Sequence, residues 1–264
     1  MVRPRVEPLR ATVEGRGPVM VLLPGVALAT GLWAPLVDRY RGRYELHMLV
    51  PAGFGAAPPL STRPLLPVLG RALAAYLAAH PPTVLIGHSF GAHLALVAAT
   101  EVAGLARLLL IDGLPRLGPL FFPDALLHEI PELARLRQAR RRSLDPVVAV
   151  RNRMAAFQPL FANPEDFRKM APEIGESDPD TVNDLLFELA ITEVAGLSGI
   201  QAETLVLLPD LRRYADGAHR RTEFERQYAP VPRHRLQEVP GAIHFPMFDA
   251  PEAFFSRVDA FLAA

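Results

Sequence analysis

Short, nearly uninterrupted apolar runs recur along this chain and alternate with longer stretches of helical character. Val19–Leu23 (VMVLL), Tyr44–Val50 (YELHMLV), Thr83–Ile86 (TVLI) and Ala106–Ile111 (ARLLLI) read as buried strands. Between them, Gly31–Tyr40, Leu65–Ala79 and Phe90–Ala103 carry Ala, Leu and Val at helical spacing. Runs this short, rich in branched residues and bounded by Gly and Pro, favour strand over buried helix. Strand–helix–strand alternation requires crossover connections and so predicts a mostly parallel sheet with helices on its faces, the α/β class.

The alternation stops near Leu114 and resumes near Ile200. In between lie only helical patches, Phe122–Arg142, Pro146–Gln158, Pro164–Met170 and Pro179–Glu193. Prolines at 123, 131, 146, 164 and 179 fall near plausible helix starts, where a missing N–H costs least. Strands return at Thr204–Leu208 and Arg235–Val239, with helical stretches at Arg220–Ala229 and Pro251–Leu262. The expected organisation is a core formed by residues 1–113 and 201–264, interrupted by a helical cap over 114–200.

Composition narrows the function classes. Lys+Arg and Asp+Glu both number 28, so the formal charge is zero and no bulk field attracts nucleic acid or an anionic membrane. There is no cysteine, which excludes thiolate catalysis, disulfides and cysteine metal sites. Met1–Arg10 lacks the apolar run of a signal peptide, and the longest apolar stretches are too short for a bilayer. A cytoplasmic protein is the simplest expectation. No H-E-x-x-H suggests a metal, and no G-x-G-x-x-G follows a strand to suggest a dinucleotide, so no cofactor is expected.

Chemistry concentrates at Gly87-His88-Ser89-Phe90-Gly91. At this chain's own Gly and Ser frequencies, G-x-S-x-G is expected about 0.03 times by chance. It also closes the TVLI strand and opens a helix. A sharp strand-to-helix turn strains the central residue and lifts its side chain above the sheet, next to the N–H groups of the helix start. Ser89 is the candidate nucleophile; the bland alternative is a glycine turn with an innocent serine. A serine hydroxyl needs a base. Of the histidines beyond it, His128 falls in the cap, His219 starts a helix and His234 starts a strand. His244 follows the last strand in a loop at the same sheet edge and is the candidate base. Phe90 N–H, and Val26 N–H from the Pro24-Gly25-Val26 loop, are the candidate oxyanion donors.

These residues resemble the α/β-hydrolase family. The blocks that carry the resemblance are Leu22–Gly25 (LLPG), Pro51–Gly55 (PAGFG), GHSFG, Leu108–Pro115 (LLLIDGLP) and His244–Phe254 (HFPMFDAPEAF). The last two, with Ser177–Val182, are similar to a sparsely characterised bacterial branch. The resemblance implies an α/β-hydrolase fold and a Ser-His-acid triad. It leaves the acid open. Many members carry the acid in a G-x-x-D stretch after the later strand, but here Leu208–Asp216 has no glycine and offers both Asp210 and Asp216. Some members take the acid from the earlier strand, where Asp112 follows LLLI. Asp112 ranks first, since a carboxylate flush with a strand end is held rigidly, then Asp216, 28 residues before His244, then Asp210. A capping role is the alternative for Asp112.

The expected activity is hydrolysis of a small-molecule carboxylic ester or related acyl compound. Thioester, lactone or C–C hydrolysis, acyl transfer, or mere binding on the same scaffold are the rivals. Ser89 disfavours haloalkane and epoxide chemistry, which needs an aspartate nucleophile. Phe121, Phe122, Phe157, Phe161 and Phe187 line an acyl pocket or simply pack the cap, the latter being the better reading for any one of them. Arginines 135, 137, 140, 141 and 142 read better as a solvated helix face than as an anion site. His88 and His93 flank the serine turn, and packing or a supporting contact behind the site suffices for both. Oligomeric state is not readable.

Overall fold

A computed structural model describes residues 6–263. Met1–Arg5, part of the stretch read above for a signal peptide, and the final Ala264 lie outside the described residues. Elements in chain order are β1 (Leu9–Gly15), β2 (Val19–Leu23), α1 (Ala34–Tyr40), β3 (Glu45–Pro51), α2 (Leu65–Ala79), β4 (Val84–His88), α3 (Phe90–Ala99) and β5 (Arg107–Ile111). Five helices follow: α4 (Gly118–Phe121), α5 (Ile130–Arg142), α6 (Pro146–Phe157), α7 (Pro164–Glu176) and α8 (Pro179–Ile191). The chain then returns as β6 (Glu203–Leu208), α9 (Gly217–Tyr228), β7 (His234–Glu238), α10 (Pro246–Asp249) and α11 (Pro251–Ala263).

The strands form one seven-stranded sheet in the order β1-β3-β2-β4-β5-β6-β7. All neighbours are parallel except β1, which runs antiparallel to β3 at the edge. The apolar runs are continuous because both faces of the sheet are covered, and successive side chains enter opposite layers. Val21, Leu85, Leu108, Leu110 and Val206 meet α2, α3 and α9 on one side. Met20, Leu22, Ile86, Leu109, Leu205 and Leu207 meet Trp33, α1 and α11 on the other. Each fully buried Leu or Ile contributes about 1.5–3 kcal/mol relative to exposure.

Three expectations shift. Strand β1 was not anticipated from the sequence, because six of its seven residues are exposed and no burial pattern marks it. The segment expected as one helix over Phe122–Arg142 is broken: Pro123 lies in a turn and α5 begins at Ile130, with Pro131 in its first turn. Helix α7 runs through Pro172 to Glu176, six residues past the expected end. Prolines 146, 164 and 179 do open helices, with Asp145, Asn163 and Asp178 accepting backbone N–H bonds as N-caps.

The helical insertion α4–α8 attaches at the edge where the parallel strands end. Asp178 N–H donates to Gly53 O just after β3, and Gly55 N–H donates to Ser177 Oγ. On α8, buried Glu188 accepts from Leu65 N–H and Leu66 N–H, supplying the first turn of α2 with the cap its own Pro64 cannot give. Asp184, also on α8, meets Arg63, Gln138 and Arg142. No described helix is long and apolar enough to cross a membrane.

Candidate active site

The tight turn between β4 and α3 puts Ser89 at φ 52°, ψ −115°, a conformation costly for a residue with a Cβ. Its flanking glycines are dictated by contact. A Cβ on Gly91 would stand 2.0 Å from Leu23 O, and one on Gly87 would stand 2.3 Å from Gly91 O. The motif therefore packs backbone on backbone. Serine in front of a helix ordinarily caps it, yet the Ser89 hydroxyl makes no cap bond to α3. It is left half-exposed at the strand edge.

The neighbouring strand ends the same way. Asp112 follows β5 at φ 44° and is 7% exposed. Ser89 N–H donates to Ile111 O at 2.8 Å, so nucleophile candidate and acid candidate hang from adjacent strand tips. Gly113 lies against Ala92 and Ser89 O, with no room for a Cβ, and Tyr228 O–H donates to Gly113 O at 2.7 Å. Burial and then the Asp112 charge push the Tyr228 phenol well above its ordinary pKa, which keeps it a donor.

His244 lies in the loop between β7 and α10, and the structure brings it to Asp112. Its Nδ1–H donates to Asp112 Oδ2 at 2.5 Å. With Nδ1 committed to a carboxylate, Nε2 is the free acceptor of the neutral ring. Three groups fix this loop. His88 Nε2–H donates to His244 O at 2.9 Å, and the two rings pack at 4.5 Å between centroids. Burial, then the His244 charge, holds the His88 pKa well below the ordinary imidazole range, so His88 is a neutral donor. Asp249 accepts from Ala162, Ile243 and Phe245 N–H.

The third group is Asp210, which is not brought to the imidazole. It accepts two hydrogen bonds from the Arg212 guanidinium, at 2.9 and 2.8 Å, one from Arg212 N–H at 3.2 Å and one from Gly241 N–H at 3.0 Å. The Arg212 bonds first, then the Gly241 amide, hold its carboxyl well below the usual range. Asp216 lies at the start of α9, bonded to Arg220 at 2.8 Å. Burial opposes ionisation there, but Arg220 outweighs it and lowers the pKa.

Val26 and Phe90 N–H donate to no acceptor among the described residues. Gly25–Leu28 forms a turn closed by Leu28 N–H to Gly25 O, with Ala27 at φ 61°, and Gly25 lies against the His88 ring. Val26 and Phe90 are themselves buried, at 7% and 0% exposure, and Phe90 directly follows Ser89. Among the described residues no three His, Asp or Glu side chains are grouped to hold a metal ion.

The five phenylalanines divide. Phe161 is 5% exposed and stacks on Phe245, the residue after His244, at 4.0 Å. Phe121, Phe122 and Phe187 gather with Ile130, Ala134 and Ala190 inside the insertion. Phe157 packs against both apolar clusters, each of which includes residues of the insertion, Val182 and Leu185 in one and Met170 and Ile174 in the other. In the arginine run, Arg137 lies over the Phe122 ring, Arg135 pairs with Glu132 and Arg142 with Asp184. His93 packs inside α3 with Nδ1 toward Leu114 O. Sequence alone does not single out the contacts of His88 and Asp249, because their partners are backbone groups set by the fold.

The whole architecture is shared with solved enzymes. The esterase from Exiguobacterium antarcticum superposes with TM-score 0.80 at 15% identity, covering 97% of this chain and 96% of that one. The enol-lactonase from Burkholderia xenovorans LB400 does so with TM-score 0.78 at 16% identity, covering 97% and 96%. Such identities speak to fold alone. In sequence, a pimeloyl-[acyl-carrier protein] methyl ester esterase of Xanthomonas oryzae pv. oryzae is 39% identical over 119 residues, 45% of this chain and 46% of that protein. The esterase of the same name from Stenotrophomonas maltophilia is 39% identical over 104 residues, 39% of each chain. The matched stretch thus spans under half the length of these relatives. Residues 20–257 match the model of the alpha/beta hydrolase family as a unit, and with strand order, nucleophile turn and histidine loop in place, the chain belongs to that family.

Proposed function

We infer that the protein is a carboxylic ester hydrolase working through Ser89, His244 and Asp112. One observation carries the reading: His244 directs Nδ1 to Asp112, on the strand tip beside Ser89, which leaves Nε2 as the ring nitrogen for the serine. In the reaction, Nε2 takes the Ser89 proton as Oγ attacks the acyl carbonyl. Asp112 stabilises the imidazolium. Val26 and Phe90 N–H hold the tetrahedral oxyanion. The imidazolium then protonates the departing alcohol, leaving an acyl-serine. Water, deprotonated by the same Nε2, releases the acid and restores Ser89.

The helical segment 114–200 acts as a cap, and Phe157, packed against both apolar clusters, is the cap side chain to test for contact with an acyl chain. The relatives' names describe a methyl ester on an acyl group carried by a protein. Methyl esters of medium acyl chains are accordingly the first substrates to try, with p-nitrophenyl esters as reporters. Ser89→Ala abolishes turnover, a loss of about 10⁶ in kcat, and abolishes labelling by a fluorophosphonate probe while the melting curve stays in place. Undiminished turnover in that variant ends this reading.

A further inference from the structure

The cap is held to the core by a carboxylate at a telling place. Glu173, on α7, accepts hydrogen bonds from Ala29 N–H and Gly31 N–H, both at 2.8 Å. These amides open the short 3-10 turn Thr30–Trp33, whose own flanking residue, Ala29, has no side chain to cap it. A residue more than 140 positions away supplies the cap. Space has been left for it: a Cβ on Gly31 would stand 2.9 Å from Glu173 Oε1. Ala29 directly follows the Gly25–Leu28 turn that presents Val26 N–H. One turn further along the cap, Ser177 and Asp178 hold Gly55 and Gly53 around Phe54, whose ring meets Phe90 edge-on at 5.5 Å. The segment 173–178 thus touches the backbone that follows Val26 and, through Phe54, the side chain of Phe90.

We propose that Glu173 is a positioning residue for the oxyanion hole: by tying the Ala29–Gly31 backbone to the cap it sets where Val26 N–H points. The inference rests on the esterase reading and adds to it that the cap builds part of the catalytic centre besides covering it. A donor displaced by about 1 Å costs on the order of 10²-fold in rate, and only where charge develops.

The test uses the full chain with a p-nitrophenyl ester and a trifluoromethyl ketone, which forms a tetrahedral adduct on the serine. Glu173→Ala lowers kcat 10- to 100-fold, leaves KM within twofold, and raises the ketone Ki by the same factor as kcat/KM falls. The pH profile of kcat/KM keeps its shape, since the His244 environment is untouched. Glu173→Gln, retaining one acceptor oxygen, falls between wild type and alanine. Gly31→Ala crowds the same contact from the core side and reproduces the pattern, which decides the matter even if Glu173→Ala does not fold. A folded variant with unchanged kcat, or with kcat lowered while the ketone Ki is unmoved, overturns the proposal. A wild-type protein that neither turns over esters nor reacts with a fluorophosphonate defeats the esterase reading instead.

Discussion

The tips of β5 and β6 each carry a buried aspartate, Asp112 at 7% exposure and Asp210 at 5%, and the two serve the same histidine in opposite ways. Asp112 meets the His244 ring. Asp210 meets the backbone that leads to it: its carboxylate receives Gly241 N–H, and its own N–H donates to Ala242 O. The cause is the company each keeps. Arg212, two residues on, grips Asp210 with a two-pronged pair that turns both carboxylate oxygens aside. Asp112 has Leu114 at the matching position, and no cation bonds to it among the described residues. A carboxylate already neutralised by a guanidinium has little left to offer an imidazolium.

Substitutions at the two tips should separate these roles. Asp112→Asn is expected to lower kcat about 10⁴-fold with KM little changed, since the amide cannot hold the required tautomer. A loss below tenfold would return the acid to the β6 loop. Asp210→Asn is expected to cost under tenfold in kcat but to lower the melting temperature, as Arg212 and Gly241 lose a charged acceptor. Asp216→Asn, severing only the Arg220 pair, is expected to leave kcat unchanged.

The smallest effect is read in stability at the third neighbouring strand. Burial lowers the pKa of His88 on β4, and that of His93 on α3 to about 4, so both are neutral in the fold. The unfolded chain takes up these protons below about pH 6.5, so stability is retained above that value and falls as pH drops toward the folded pKa values. Each group contributes at most about 1.4 kcal/mol per pH unit, visible as a falling urea midpoint between pH 7 and 4.5. His93→Asn should flatten that slope by its share.

The sheet was legible because strands covered on both faces leave unbroken apolar runs. β1 was not, because an exposed edge strand is held by ladder hydrogen bonds that leave no trace in residue type. Ser89 and His244 could be picked out because a strained turn needs glycines and chain order limits the histidines. The acid stayed open for a physical reason: three aspartates follow strands near the same edge, and what separates them is a guanidinium that engages Asp210 and Asp216 but, among the described residues, not Asp112. Arg212 beside Asp210 and Arg220 four residues after Asp216 were visible as sequence, but only folded geometry shows that they engage. Glu173 was invisible, since its partners are two amides on the far side of the chain.

Gly91 carries a consequence for redesign. The Ser89 turn rests so tightly on Leu23 and Pro24 that the serine and the Pro24–Gly25 loop form one casting. Residues 23–25 and 87–91 therefore tolerate no independent adjustment, and a library seeking new specificity belongs in the helices of the insertion. There, positions such as Phe157 can vary while the casting stays whole.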